Sequence, residues 1–469
     1  MEVTTQSFKS SATKALNDAS LQTAMKRATA QFVSKRRAAI DALDDFEALR
    51  DYCGAVKAHT LDYLDVYLEE LAVSVERVGG HVHFAEDAEE ANRIVVELAS
   101  SKGVRTAVKS KSMLSEEIKL NEALEEAGVI PIETDLGEYI LQIDHDYPSH
   151  IIGPAIHKTK EQIDRLFHDK LGTALHSDVP TLTAAARRVL RSSFLEADMG
   201  ISGVNFAVAE TGTVVLVENE GNIRLTTSLP KLHLAVMGLE KLLPRLRDLP
   251  AFLSLLPRSA TGQKASSYVS MITGPRRQGE SDGPEEFHLL IIDNGRSDVL
   301  ADPKLRDALR CIRCGACLNV CPVYQNIGGH AYGWVYSGPI GAVLDPGLLG
   351  LEKTHLLPQA SSLCGACGEV CPVKIPLPAL LIEHRRRSVE AGLAAKGEGA
   401  AIGAFSFIAQ RPRLWEASTT VARFGSRFFE RDGHSTATAM PVLKSWLKER
   451  DFPAPAKKSF RQLWKEGLR

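Results

Sequence analysis

Seven of the eight cysteines in this 469-residue chain fall between residues 311 and 371. The first run, Cys311-x₂-Cys314-x₂-Cys317-x₃-Cys321-Pro322, has the spacing of thiolates that converge on an iron–sulfur cube. A tight C-x₂-C-x₂-C loop turns three side chains inward and aims backbone N–H groups at the cluster sulfurs. The fourth cysteine, followed by proline, is carried away from that loop, and in two-cluster proteins it ligates the other cluster. The second run, inside SSLCGACGEVCP (361–372), keeps Cys364, Cys367 and Cys371-Pro372 but lacks a leading cysteine. The crossed pattern assigns Cys311, Cys314, Cys317 and Cys371 to one [4Fe–4S] cluster. Cys321, Cys364 and Cys367 fall to a second. A Cys₄ zinc site normally uses two C-x₂-C pairs around one metal, and seven cysteines in this order fit it poorly.

Aligning Cys371 with Cys321 puts Ser361 where the missing thiolate belongs. Ser361 is therefore a candidate oxygen ligand, with Ser362 one residue out of register. Other readings are a water or substrate oxygen on the fourth iron, loss of that iron to leave a [3Fe–4S] centre, or a Ser361 that only hydrogen-bonds nearby. An oxygen ligand or an open corner would shift the cluster's potential.

The rest of the chain must supply the elements that hold these loops. Its 44% apolar and 24% charged residues describe a globular protein, and 469 residues imply two or three domains. The near-neutral net charge of −2 argues against a nucleic-acid binder. No apolar run is long enough for a membrane span, and the N-terminus shows no secretory pattern, so a cytoplasmic location is expected. A clustered set of cysteines in such a chain points to metal rather than disulfides. Cys53, alone in RDYCGAVKAH, reads as a buried packing residue.

Residues 1–75 carry apolar side chains at helical spacing and are expected to pack on the α/β domain C-terminal to them. GGHVHFAE, VRTAVKS and VIPIETD read as strands alternating with the helical AEEANRIVVELASSKG and SEEIKLNEALEEAG, the pattern of a parallel α/β sheet. FAVAETGTVVLVENEGN reads as a hairpin around Thr211-Gly212. LPKLHLAVMGLEKLLPRLRDL reads as helical, and YVSMITG and FHLLIID as the last strands. Expected boundaries are 1–75 helical, 76–296 α/β, 297–385 the cluster segment, and 386–469 a helical tail. In that tail RPRLW (411–415) and KKSFRQLWKEGLR (457–469) mix basic and aromatic residues, as a docking surface or an ordinary amphipathic helix would.

Loops after the strands of an open α/β sheet are where ligands sit. Lys109, Lys111 and Ser112 in VKSKSM are candidates to hold a carboxylate or phosphate, against the plainer reading of a basic turn with a serine cap. Glu218 in VENEGN is a further candidate, against a structural turn. His145, His150 and His157 surround a proline loop and read as packing histidines or as a base for a hydroxy acid. No G-x-G-x-x-G follows a strand, so no nicotinamide or flavin site is claimed.

Several longer segments carry a family likeness: AVKSKSMLSEEI (107–118), ETDLGEYILQ (133–142), PSHIIGPAIHK (148–158), AETGTVVLVENEGN (209–222), ITGPRR (272–277), DNGRS (293–297) and both cysteine runs in order. With these the chain resembles the lactate-utilisation iron–sulfur proteins of bacteria, from about residue 30 to the C-terminus. The resemblance implies a LUD domain with a fold like the sugar-phosphate isomerases and CoA transferases, a ferredoxin-like two-cluster domain and a family-specific tail. It implies two [4Fe–4S] clusters on seven cysteines and electron transfer during oxidation of L-lactate to pyruvate. The implied partners are a second LUD-domain protein and a cysteine-rich protein. Glu218 resembles, loosely, the position of the CoA-transferase glutamate. The rival functions are a LUD-pocket transferase or isomerase with structural or sensing clusters, and an iron- or redox-responsive regulator. Whether the chain is itself an enzyme is left open by the sequence.

Overall fold

A computed structural model describes residues 2–394, 397–431, 434–435, 450 and 453–467. They fall into two compact units, Met1–Ala391 and Gly392–Arg469. Ten strands of the first unit are β1 (His81–Ala85), β2 (Thr106–Lys109), β3 (Ile130–Glu133), β4 (Met199–Gly203), β5 (Phe206–Val208), β6 (Thr213–Glu218), β7 (Leu232–Gly238), β8 (Leu242–Leu243), β9 (Tyr268–Ile272) and β10 (Glu286–Ile292).

Six of them form one sheet in the order β1-β10-β7-β4-β2-β3, and every neighbouring pair is parallel. Parallel neighbours need crossovers, which the helix Ala88–Ser101 provides between β1 and β2. The expected hairpin is present: β5 and β6 pair antiparallel through Val208↔Thr213, within a second sheet ordered β8-β5-β6-β9.

One expectation is corrected. Leu232–Gly238, read as part of a helix, is β7, a central strand buried along its whole length. A strand covered on both faces is apolar without alternation, so its sequence cannot be told from a buried helix by periodicity. The helix of that region starts only at Leu249 and runs to Ala260. Its neighbour β4 gives no strand signal in MGISG, and Gly200 there has a packing reason: a Cβ would stand 1.9 Å from the Thr226 carbonyl oxygen. Glycine lets the helix Asn222–Ser228 lie directly on the sheet.

The N-terminal helices are Phe8–Leu16, Ala19–Asp41, Phe46–Asp62 and Leu64–Arg77. Met25, Phe46, Cys53 and Leu61 enter one core with Phe252 and Leu243 of the α/β part and with Leu318, Tyr324 and Val373 of the cysteine segment. These helices therefore pack on both regions. Cys53 is fully buried, and burial pushes its thiol up to about 12, the state of an inert packing residue.

The second unit contains the helices Glu398–Ala409, Pro412–Ser426 and Phe460–Lys465, with exposed aromatics that include Phe405, Trp415 and Trp464. Parts of the 386–469 tail, including 436–449 and the last two residues of the KKSFRQLWKEGLR stretch, lie outside the described residues. Among the described residues no helix is long and apolar enough to cross a membrane.

Candidate functional site

The two cysteine loops share one backbone. Arg313 and Gly315 have φ of 58° and 72°; the register-matched Leu363 and Gly365 have 55° and 89°. Positive φ is rare for residues other than glycine, so its occurrence at Arg313 and Leu363 marks the same turn built twice. Each loop runs into a five-residue helix, Ala316–Val320 or Ala366–Val370, and ends on an extended cysteine, Cys321 or Cys371. The likeness reaches the position that lacks a thiol. The Arg313 N–H donates to Cys311 Sγ at 3.4 Å, and the Leu363 N–H donates to Ser361 Oγ at 3.1 Å.

The cysteine side chains gather at two places. Cys311, Cys314, Cys317 and Cys371 line one small cavity, walled by Ile151, Ile312, Ile340 and Leu377. Cys321, Cys364 and Cys367 line another with Ser361 and Ser362, under Pro339, Pro378 and Leu381. All seven thiols are free; Cys364 is exposed, Cys311 is partly covered and the other five are buried. Burial pushes the Cys314 thiol up to about 12 and Cys367 to about 11, and raises Cys317, Cys321 and Cys371 as well. Thiolates in such places need cationic compensation, which cluster iron supplies. Two apolar pockets, each edged by converging soft donors, fit a pair of thiolate-held clusters.

Side chains from outside the loops fix them. Arg50, on the helix Phe46–Asp62, donates to the carbonyl oxygens of Glu369 at 2.7 Å and Cys371 at 2.8 Å. Arg36 donates to the Val370 carbonyl at 2.9 Å, and Arg385 to that of Ser361 at 2.8 Å.

A larger cavity of about 340 Å³ opens at the carboxyl ends of β2, β4 and β7. Lys111, Ser112 and Glu218 line it. Lys109 does not line it, which corrects the expectation for that residue. It is fully buried, with Nζ 2.7 Å from Glu133, 3.2 Å from Glu116 and 2.8 Å from Ser115 Oγ. Burial opposes its charge, but the Glu133, Glu116 and Glu138 carboxylates outweigh that and hold it firmly protonated. Ser112 caps the helix Met113–Glu117, Lys111 donates to the Ile152 carbonyl at 2.8 Å, and Glu218 accepts the N–H groups of Ile223 and Arg224 at 2.7 and 3.1 Å.

Between this cavity and the first cysteine loop runs a buried chain of charges. Arg296 donates to Glu117 at 2.7 Å and to Glu240 at 2.9 Å. Glu240 also meets Arg313 at 3.4 Å, and Tyr336 donates to Glu117 at 2.5 Å while its ring lies 4.3 Å beneath the Arg313 guanidinium. Arg313 thus ties the cysteine loop to the end of β7. The histidines are committed elsewhere. His150 accepts the Ile152 and Gly153 N–H groups on Nδ1 and faces Asn319, His157 bonds Ser149 and Asp146, and His145 is exposed.

Known proteins match the chain at two levels. Residues 68–292 match the LUD domain, 307–375 the 4Fe-4S dicluster domain, and 385–468 the C-terminal domain of lactate utilisation protein B. A "Lactate utilization protein B" of Shouchella clausii is 50% identical, over 96% of this chain and 95% of its own length. The chain belongs to the lactate utilization protein B family. A Geobacillus thermodenitrificans member is 52% identical over 91% of this chain and 90% of its own. A similar Escherichia coli protein, named "Uncharacterized electron transport protein YkgF", is 45% identical over 98% of this chain and 96% of its own.

In this member of the lactate utilization protein B family the dicluster match spans all seven clustered cysteines and Ser361, so its cofactor is iron–sulfur. The residues that sequence reasoning missed are Arg296, Glu240, Lys241 and Arg313. Arg296 lies inside the DNGRS signature, and Arg313 between two cysteines. Glu240 and Lys241 are hidden because the strand before them has the unbroken apolar run of a buried helix.

Proposed function

We propose that this chain is the iron–sulfur electron-transfer component of a system that oxidises L-lactate to pyruvate. In this reading Cys311, Cys314, Cys317 and Cys371 hold one [4Fe–4S] cluster. Cys321, Cys364 and Cys367 hold the other, and the Ser361 oxygen completes it. The observation that carries the reading is the sorting of seven cysteines into two separate apolar cavities, each drawing its last cysteine from the other run. The names of its relatives, lactate utilization for one and electron transport for another, supply the direction.

When bound, the clusters supply single-electron transfer, so the electron pair of a lactate oxidation is first taken by another group. The protein's own part is to hold thiolates in dry pockets, to cover them with Ile151, Ile340 and Leu377, and to fix their loops through Arg50 and Arg36. Expected partners are a second LUD-domain protein and a cysteine-rich protein, with an electron acceptor outside this chain.

The test is anaerobic purification with iron and sulfide counted and low-temperature EPR recorded, then addition of L-lactate with and without the partner proteins. About eight iron atoms per chain and lactate-driven reduction only with partners are expected. Colourless, zinc-loaded protein would end the reading. The strand-end cavity favours a second one, a LUD-type transferase or isomerase, which predicts acyl-CoA or sugar-phosphate turnover that survives Cys311→Ser.

A further inference from the structure

The cavity at the carboxyl ends of β4 and β7 contains an ammonium with no hydrogen-bonded partner, its charge opposed by burial and supported by the nearby Glu240 carboxylate. Lys241 ends the single turn Leu239–Lys241 that follows β7, and its side chain lines the cavity. Among the described residues its ammonium makes no hydrogen bond or ion pair, whereas every carboxylate on the same walls already has donors. Glu240 is held by Arg296 and Arg313, Glu218 by two backbone N–H groups, Glu220 by the Leu136 N–H, and Asp135 by the N–H groups of Gly137 and Glu138. A second open donor sits beside it. Arg313 also lines the cavity, and its buried Nη1 finds no acceptor. Buried donors left unpaired are costly and therefore uncommon.

We infer that Lys241 and Arg313 anchor a small monocarboxylate of the 2-hydroxy or 2-oxo class at the inner end of this cavity. The anion site stands on the unbonded Lys241 ammonium and the unpaired Arg313 Nη1; the substrate class rests on the function proposed above. Three features narrow the ligand. Asp135, Glu218 and Glu220 also line the cavity and repel a polyanion, so one negative charge is preferred over a phosphate ester or a CoA diphosphate. Val204, Met237 and Leu256 offer apolar surface to a short carbon chain. Ile151 lines both this cavity and the one edged by Cys311, Cys314, Cys317 and Cys371, so the carboxylate would sit one side-chain layer from the first cysteine site. The position also agrees with the general placement of ligands at strand carboxyl ends.

The test is isothermal titration of the anaerobically purified, cluster-carrying chain with oxamate, a non-reacting 2-oxo carboxylate, and with inorganic phosphate. Oxamate is expected to bind, phosphate at least about tenfold more weakly. Lys241→Met should raise the oxamate Kd by at least about tenfold, and Lys241→Arg should restore it to within about threefold. Oxamate should raise the unfolding temperature of the parent and of Lys241→Arg but not that of Lys241→Met. An oxamate-induced rise that persists in Lys241→Met overturns the assignment. So would an oxamate affinity indifferent to Lys241, or phosphate binding as tightly as oxamate. Oxamate binding that depends on Lys241, in a protein that lactate and its partners never reduce, would keep the anion site and remove the lactate reading. Lactate-driven reduction with Lys241-independent oxamate binding would do the reverse.

Discussion

Arg50 donates from both Nε and Nη2 to the carbonyl oxygen of Cys371, at 2.9 and 2.8 Å. That carbonyl lies where the chain leaves the second cysteine run, at the residue whose thiol turns into the first cavity. A helix from the N-terminal region thus fixes the crossing between the two sites, and its guanidinium also packs 5.6 Å from the Phe46 ring centroid.

Replacing Arg50 with methionine keeps most of the volume, removes the Arg50 donor from the Glu369 carbonyl and leaves the Cys371 carbonyl with only the Lys374 N–H at 3.2 Å. The lost charge-assisted bonds predict a destabilisation of about 1.5–3 kcal/mol. Urea denaturation of the anaerobic protein would read it as a lower midpoint, with iron content falling in parallel. An unchanged midpoint would mean that water replaces the guanidinium at no cost.

The Glu117–Arg296–Glu240 chain should behave as a buried ion network does. Arg296→Leu leaves Glu117 without a paired cation and Glu240 with only Arg313 and Lys241, and is expected to cost about 3–5 kcal/mol. Arg296→Lys should rescue little, because one ammonium cannot replace donors that reach Glu117 from two nitrogens and Glu240 from a third. The network also predicts acid sensitivity. Burial raises Glu240, but Arg296, Lys241 and Arg313 outweigh it and hold the carboxyl at about 2; Glu117 is lowered in the same way, chiefly by Arg296 against its burial. Carboxyls depressed in the folded state contribute stability that is complete above their unfolded pKa, near 4.3. It is lost as pH falls through the folded value. Midpoints should therefore drop below about pH 4.5, and Glu240→Gln should flatten that limb while lowering stability at pH 7.

The features legible in the sequence and those hidden from it differ in the range of their signals. The cysteine register is local and chemically demanding, so grouping the thiols needs only spacing, and the cavities collect those same groups. Alternating strands and helices are readable where one face of each element is polar, as in Ala88–Ser101. The signal fails at Leu232–Gly238, where burial on both faces erases alternation, and that loss conceals Glu240 and Lys241 at its end. Lys109 fails differently. A lysine just after a strand reads as a ligand for anions, and nothing local shows that Glu133, on the neighbouring strand, will already be paired with it. Long-range partners of this kind become visible only when β2 and β3 lie side by side.

Ser361 offers a spectroscopic prediction. Its hydroxyl takes the place of Cys311 Sγ in a loop of matching backbone, so Ser361→Cys should be accepted without loss of iron and should change the EPR line shape of one cluster only. Ser361→Ala removes the oxygen and should lower the iron count by about one per chain, with a [3Fe–4S] signal appearing on oxidation. A spectrum and iron count in Ser361→Ala identical to the parent would reduce Ser361 to a hydrogen-bond acceptor for Leu363.

His233, buried in β7, makes the stability of the sheet depend on pH in a separate range. Its Nε2 shares a hydrogen bond with Ser202 Oγ at 2.8 Å, and its Nδ1 has no partner. Burial, with His288 adding a smaller push, lowers its pKa to about 3. His288 is itself lowered to about 4, by burial and by His81 and His83 against the pull of Glu286. Both rings are neutral in the folded chain and take protons once unfolded, below the ordinary histidine value near 6.5. Stability is thus fully present above about pH 6.5 and declines as pH falls, by up to about 1.4 kcal/mol per pH unit for each ring, until the folded values are reached. Urea midpoints at pH 8, 6 and 5 should trace that slope. His233→Gln keeps a partner for Ser202 and removes one titrating ring, so it should reduce the slope by up to about 1.4 kcal/mol per pH unit. A slope unchanged in His233→Gln would place the acid-sensitive step outside this strand, because no other group near β7 combines full burial with an unpartnered ring nitrogen among the described residues.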